Sequence, residues 1–154
     1  MKEHTLRKKQ FLPITLGEAW DFFSSPANLG RITPARMNFK IVEKSGGDRM
    51  FRGQLIKYKI TVLPLCRVTW VTEITEVREN FQFTDEQRQG PYAQWRHTHT
   101  FEKVGNGIEM TDEVRYALPM GVLGRLAHSL FVEREVNRIF DYRYRVLEQY
   151  FGRS

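Results

Sequence analysis

The hydrophobic period changes once along this chain, and that change limits what it can fold into. Segments near 38–44, 51–61, 67–78, 81–89, 92–103 and 107–117 are rich in Val, Ile, Thr, Phe, Tyr and Trp. They are separated by Gly46-Gly47, Pro64, Asn80, Gly90-Pro91 and Gly105-Asn106-Gly107. Apolar and polar residues alternating with a period of two between turn residues predict strands joined by short turns, hence largely antiparallel ones. From Leu123 to Phe151 the pattern is different: no Pro, one early Gly, and Leu126, Leu130, Ile139, Phe140, Leu147 and Phe151 recurring at helical spacing. At 1.5 Å per residue such a helix is roughly 43 Å long, enough to cross an entire sheet.

The N-terminal part adds one strand and two short helices. Residues 3–13 read as a strand running into Pro13. Thr15-Leu16-Gly17-Glu18 has the spacing of a capping box, and Leu16, Trp20 and Phe23 at i, i+4 and i+7 predict a short amphipathic helix over 16–24. Ser25-Pro26 opens a second short helix that Ile32-Thr33-Pro34 closes. Seven antiparallel strands and one apolar-striped helix make an α+β layer architecture, with one face of the sheet wet and the other under the helix.

Composition narrows the class. The 154 residues, 41% hydrophobic, fit one domain that buries roughly 70% of its unfolded surface, so neither disulfide nor structural metal is needed. Cys66 is the sole cysteine, which excludes an intramolecular disulfide and a cysteine-based zinc site. No apolar run approaches the roughly 20 residues that span a bilayer, and residues 1–10 carry no signal-peptide core. The expectation is a soluble, reduced, cytoplasmic protein without membrane insertion. The formal charge of +6 is dispersed, its densest run being Arg7, Lys8 and Lys9. With no helix-turn-helix, zinc-finger, RRM or Walker pattern, it reads as a solvated surface rather than a nucleic-acid footprint.

The last three strands carry the functional signal. By parity, Gln82, Thr84, Glu86, Arg88, Arg96, Thr98, Thr100, Glu102, Glu109, Thr111, Glu113 and Arg115 form a solvent face. The opposite face holds Phe81, Phe83, Trp95, Phe101, Ile108, Met110, Val114 and Tyr116, but also Asp85, Gln87, His97, His99 and Asp112. Burying unpaired groups of that kind costs several kcal/mol each, so they need partners, water or a ligand. A two-residue turn at Gly105-Asn106 sets Phe101 opposite Met110, His99 opposite Asp112, His97 opposite Val114 and Trp95 opposite Tyr116. The His99–Asp112 pair then orients an imidazole and favours its protonated form. Across Gly90-Pro91, one register sets Gln87 beside Trp95, Asp85 beside His97 and Phe83 beside His99; a one-residue slip moves Asp85 and Gln87 outside. These groups satisfy one another in a filled core, sit at a wet sheet edge, or line a cavity, apolar with one polar wall, of the composition usual for a small-molecule site.

The chain also resembles a known superfamily over about residues 10–147. The stretches that carry the likeness are Trp20-Asp21-Phe22-Phe23-Ser24-Ser25-Pro26, Arg31-Ile32-Thr33-Pro34, Trp70-Val71-Thr72-Glu73-Ile74, Asp85-Glu86-Gln87, Gly90-Pro91-Tyr92, Trp95 with His97 and His99, Met110-Thr111-Asp112, and Leu118-Pro119 through Gly124-Arg125-Leu126-Ala127-His128. They resemble the SRPBCC ligand-binding proteins (START, Bet v 1-like and polyketide cyclase-like). Within these the likeness is to the stand-alone bacterial branch related to coenzyme Q-binding proteins and sometimes labelled cell-division-inhibitor-like. The resemblance implies a helix-grip fold: a curved seven-stranded sheet wrapped round the C-terminal helix, two short helices after the first strand, and a lipophilic cavity between. It supplies no catalytic motif, and a fold of this kind does not fix an activity.

Three functions compete. In the first, a binding module, the cavity is lined by Trp70, Ile74, Phe83, Asp85, Gln87, Trp95, His97, His99, Met110, Asp112 and Tyr116 from the sheet and Leu130, Phe131 and Phe140 from the helix. It holds a lipophilic or aromatic molecule as carrier, sensor or accessory protein, with no cofactor. In the second, a cyclase or dehydratase, His99 acts as general acid or base, Asp112 orients it, and Asp85 or His97 polarises a carbonyl. In the third, His97-x-His99 and a carboxylate bind a metal, a weak signal that leaves the expectation at no metal. His4 and His128 read as surface or helix-flank residues, Cys66 as a small buried hydrophobe, and Glu73 as solvated.

Overall fold

A computed structural model describes residues 2–63 and 66–152. Seven strands form one antiparallel sheet: β1 (His4–Leu12), β2 (Lys40–Lys44), β3 (Leu55–Leu63), β4 (Cys66–Arg78), β5 (Gln82–Gln89), β6 (Gln94–Val104) and β7 (Gly107–Ala117). Their order is β1-β7-β6-β5-β4-β3-β2. Between β1 and β2 the chain therefore passes from one edge of the sheet to the other. That passage is made by α1 (Leu16–Phe23) and two 3-10 helices, Pro26–Ile32 and Ala35–Met37. Register shifts at Ile41/Glu43, Thr61/Leu63, Val71/Thr72 and Ile74/Glu76 interrupt the ladders of β2 to β5. Extra residues of this kind bend a strand and increase its twist, which curves that half of the sheet.

Local chemistry fixes these elements where the sequence predicts them. The capping box is formed: Glu18 N–H donates to Thr15 Oγ1 and Thr15 N–H to Glu18 Oε1, both at 3.1 Å. α1 then buries Ala19, Trp20 and Phe23, with Trp20 edge-on to Phe83 and Phe101 at 6.0 and 6.1 Å. Gly105-Asn106 is the two-residue turn, pairing Val104 with Gly107 and setting the expected β6–β7 register from Phe101↔Met110 to Trp95↔Tyr116. Gly107 must be glycine, because a Cβ there would lie 2.4 Å from the carbonyl oxygen of Leu12 on the neighbouring β1. The Pro64 turn lies outside the described residues.

The parity reading needs two corrections. Phe81 sits in the turn before β5 and is exposed, because Asn80, at φ 69°, turns the chain just before it. Thr84, expected outside, is fully buried, its Oγ1 3.4 Å from that of Thr98 across the ladder.

The predicted C-terminal helix is one run with a fault in it. α2 (Gly121–Ala127) passes through a π-helical turn (His128–Val132) into α3 (Glu133–Phe151). α3 buries Val136, Phe140, Arg143 and Leu147, a stripe at i, i+4, i+7 and i+11. Leu126, Leu130 and Phe131, expected to continue that stripe, are exposed instead. The π turn takes more residues per turn than an α-helix, so it shifts the phase and a periodicity read from α3 fails before Glu133. Leu147 joins Leu12, Phe23, Ile56, Ile74, Phe83, Phe101, Ile108 and Met110 in the main core, between sheet and grip helix.

Candidate functional site

Alternate side chains of β3 (Ile56, Tyr58, Ile60, Val62) and β4 (Trp70, Thr72, Ile74) point to one side of the sheet, as the strand period requires. With Asp85, Trp95, His97 and His99 they form one wall of a cavity of about 170 Å³, closed by Ile139, Phe140 and Arg143 of α3 and by Ile32 and Met37 of the 3-10 helices. One end is aromatic: Tyr58 stacks on Trp70 at 5.9 Å, and Trp95 stands edge-on to Trp70 at 5.3 Å, with Tyr92 packed against both. The half-buried Thr33 and Glu135 lie where the lining meets the surface.

The other end is a crossed set of imidazole–carboxylate contacts. On β6, His97 sits opposite Asp85 and Val114, and His99 opposite Phe83 and Asp112. The side chains nevertheless bond diagonally: His97 Nε2 is 2.8 Å from Asp112 Oδ1, and His99 Nε2 is 2.8 Å from Asp85 Oδ2. The two imidazoles overlap, ring centroids 3.6 Å apart. From α3, Arg143 Nη2 reaches 3.4 Å from both Asp112 Oδ1 and His99 Nδ1. All but Asp85 are at least nine-tenths buried.

Burial pushes the His97 imidazole down to about 4, and the neighbouring His99 acts in the same sense; the hydrogen bond to Asp112 and the charges of Asp112 and Asp85 only partly offset this. For Asp112 burial acts upward but is overcome, first by the Arg143 charge and then by the contacts with His97 and His99, so its carboxyl lies well below the ordinary range. Asp85 is lowered in the same way: burial opposes, and the His99 hydrogen bond and the charges of His97, His99 and Arg143 prevail. Burial, then the Asp85 charge, raises the Tyr58 phenol against a hydrogen bond with Thr72, so it stays protonated. An ionised carboxylate only accepts, so neutral His97 carries its proton on Nε2 and keeps a lone pair on Nδ1. That Nδ1 is 4.0 Å from Asp85 Oδ2, too far to bond.

Among the described residues, two buried N–H groups on side chains that line the cavity have no acceptor, Trp70 Nε1 and Arg143 Nε. As metal ligands, Asp85, His97 and His99 bring donor atoms within 4.8 Å of one another. In the observed bonding, however, His99 Nε2 is committed to Asp85 and the Arg143 guanidinium already supplies a cation beside the cluster.

Of the residues expected at the site, Trp70, Ile74, Asp85, Trp95, His97, His99 and Phe140 line the cavity, and Asp112 stands behind His97. Others are elsewhere. Phe83 stacks on His99 at 3.9 Å from the core side. Met110 is in the core cluster with Leu12, Trp20, Phe101 and Ile108, away from the cavity lining. Gln87 clamps the β5–β6 turn, donating to Tyr92 O and accepting from Tyr92 N, because the β5–β6 ladder ends at Glu86↔Arg96 before reaching it. Tyr116 is held away by His128, its hydroxyl 2.8 Å from His128 Nε2. Leu130 and Phe131 are on the surface, beyond the phase shift of the π turn.

The His99–Asp112 pair is present as a contact between ladder partners, His99 Nδ1 standing 3.3 Å from Asp112 Oδ1. The shorter bond to Asp112 comes from His97, which burial keeps neutral. His128 is buried rather than peripheral and stacks on His4 at 3.4 Å. Cys66 is exposed, not a core residue; it is the first residue of β4, paired with Leu63 at the end of β3. Arg143 was missed. Its signal was there, since it falls three residues after Phe140 and four before Leu147, on the apolar stripe.

The curved seven-stranded sheet, the long C-terminal helix and the short helices define a protein of the Bet v 1-like helix-grip fold. Among solved structures the chain is similar to TTHA0849 from Thermus thermophilus (TM-score 0.72, 16% identity, 95% of each chain covered). It is similar to CV1439 from Chromobacterium violaceum (0.73, 12%, 97% of this chain and 98% of that one). It is also similar to ginseng major latex-like protein 151 from Panax ginseng (0.70, 13%, 97% of each). At these identities the likeness is one of fold alone. No family model matches the chain, and no curated protein does. No helix of the described residues is long and apolar enough to cross a membrane.

Proposed function

We propose that the chain binds a small lipophilic molecule, built on one or two aromatic rings, in the cavity between sheet and α3, as a carrier, sensor or accessory protein. The observation that carries this reading is the pairing of an aromatic-lined cavity with two buried N–H groups, on Trp70 and Arg143, that have no acceptor among the described residues. Leaving such donors unsatisfied costs about 1–3 kcal/mol each, a cost that a ligand oxygen would remove. The volume of about 170 Å³ is close to the roughly 150 Å³ of an apolar protein cavity that takes up benzene. The ligand's rings pack against Trp70, Trp95 and Tyr58, and its oxygenated end meets the polar wall. The reading is of one SRPBCC/START-like domain acting in the cytoplasm, without a nucleic-acid partner or cofactor.

Native mass spectrometry and thermal-shift screening against fatty acids, quinones and polyketide-like aromatics test it. Retention of an aromatic compound with a rise in melting temperature is the expected result. No bound species and no stabilisation across the panel would contradict it.

A second reading is favoured by one feature, the His97–Asp112 pair. Asp112 holds the His97 proton on Nε2, which leaves Nδ1 of a cavity-lining imidazole as a base. Such a base can take a proton from the carbon next to a ligand carbonyl and return it to an oxygen, as cyclisation by aldol addition or dehydration requires. Turnover of an aromatic polyketone that disappears in His97→Ala while binding persists would establish it; unchanged turnover would exclude His97.

A further inference from the structure

We propose that α2 and the π turn after it form a docking face for an anionic lipid surface. Met120, Val122, Leu123, Leu126, Leu130 and Phe131, six large apolar residues within twelve positions, are 72, 69, 61, 57, 55 and 63% exposed. Within α2, Val122 and Leu126 are four residues apart and Leu123 and Leu126 three apart, so these three share one helix face, and Leu130 and Phe131 follow on the π turn. An unpartnered apolar face of this extent marks an interaction site rather than ordinary surface.

Charge selects the occupant. Residues 114–132 contain no Asp or Glu, and their charged side chains are Arg115 and Arg125. Arg125 is exposed beside the strip, and exposed Arg134, four residues after Leu130, continues it. The first carboxylate is Glu133, at the far end of the π turn. An apolar face flanked by arginines on a chain of net charge +6 fits the interface of an anionic membrane, where apolar side chains enter the acyl boundary and guanidinium groups stay with the headgroups. A second copy fits less well. It would set like charges against each other, and six side chains fall short of the roughly 20–30 residues a side of a standard protein interface. The face also adjoins the cavity: Glu135, one helical turn after Phe131, is on its lining. Attachment there would hold the cavity next to a membrane while leaving every strand outside the bilayer. The proposal does not depend on what the cavity binds, and its test uses no cavity ligand.

The test is co-flotation of the full chain with phosphatidylcholine vesicles and with phosphatidylcholine–phosphatidylglycerol vesicles, with and without high salt. Binding to the anionic vesicles, weakened by salt and weaker still on phosphatidylcholine alone, is expected. The double substitution Leu130→Ser with Phe131→Ser lowers it by roughly tenfold or more, because affinity scales with inserted apolar area. Both side chains are more than half exposed, so the melting curve is expected to stay as it is. Arg125→Glu weakens the binding through charge alone and serves as the variant that cannot disturb packing. Absence of binding to anionic vesicles, or binding that both sets of substitutions leave unchanged, would overturn the proposal. So would a dimer in light scattering that the double substitution dissolves, which would assign the face to a second copy.

Discussion

His97 Nε2 lies 2.8 Å from Asp112 Oδ1 although the ladder partner of His97 on that strand is Val114. His99 makes the mirror choice, passing over Phe83 to reach Asp85. Residues one step off along a neighbouring strand are roughly 7–8 Å apart at Cα, within reach of an imidazole and a carboxyl extended toward each other. The two diagonals cross three strands and, with Arg143 above, tie the sheet to the grip helix. Asp112 Oδ1 accepts from His97 and is the ion-pair partner of Arg143.

Removing Asp112 therefore strands two partners at once. Asp112→Ala is expected to lower stability by about 3–5 kcal/mol in urea denaturation, the cost of leaving a buried cation uncompensated. Arg143→Met in the same background is expected to recover part of that loss. Additive losses in the double variant would show that the two side chains do not interact.

Stability follows pH through His97. Its folded pKa of about 4 lies below the ordinary value of 6.5, so between these values the unfolded chain binds a proton that the folded chain refuses. Acid therefore favours unfolding across that window. Stability is expected to fall as pH drops from 6.5 towards 4, by up to about 3 kcal/mol from this group. Asp112 and Asp85, whose folded values are depressed, keep their contributions above the ordinary carboxylate range and lose them at lower pH as they protonate in the fold. Urea titrations at pH 7, 6, 5 and 4 check this. In His97→Gln the slope between 6.5 and 4 is expected to flatten, and an unchanged slope would remove His97 from the account.

Much of this was legible in the sequence because strand and hairpin signals are local. Thr15 and Glu18 announced α1, and Gly105-Asn106 fixed the β6–β7 register, which placed His97, His99 and Asp112 on one face. Which imidazole bonds which carboxylate depends on strand twist and side-chain reach, which parity does not contain. The π turn hid the true phase of residues 120–132, so Leu130 and Phe131 were read as buried. Arg143 and the alternation Ile56, Tyr58, Ile60, Val62 were visible as patterns. A charged residue on an apolar stripe takes on meaning only once His99 and Asp112 are seen opposite it.

Trp70→Phe removes a buried N–H that has no acceptor among the described residues. The unliganded protein is expected to keep its stability within about 1 kcal/mol, since no hydrogen bond is lost. Calorimetric affinity for an aromatic ketone such as 4-hydroxyacetophenone is expected to fall roughly fivefold, the equivalent of one net hydrogen bond, while affinity for naphthalene holds. Equal losses for both would mean that the indole acts by shape alone.

Arg36 of the second 3-10 helix pairs with Glu135 of α3 at 3.1 Å, joining two elements that border the cavity. Arg36 is exposed and Glu135 half-buried, so Arg36→Ala is expected to change stability by less than about 1 kcal/mol. Stopped-flow measurement is expected to show faster association and faster release of a fluorescent aromatic probe such as 2-naphthol, with similar affinity. Unchanged rates would mean that the cavity is reached elsewhere.

The central claim is that small aromatic molecules occupy the space between sheet and grip helix. The chain has three tryptophans; Trp70 and Trp95 line that space, while Trp20 packs in the core against Phe83 and Phe101. The most direct measurement is therefore the set of three indole N–H signals in a ¹H–¹⁵N NMR spectrum during titration with 2-naphthol and 4-hydroxyacetophenone. Saturable shifts of the Trp70 and Trp95 signals, with Trp20 unmoved, are the predicted result. Three stationary signals throughout, or a shift confined to Trp20, would contradict it.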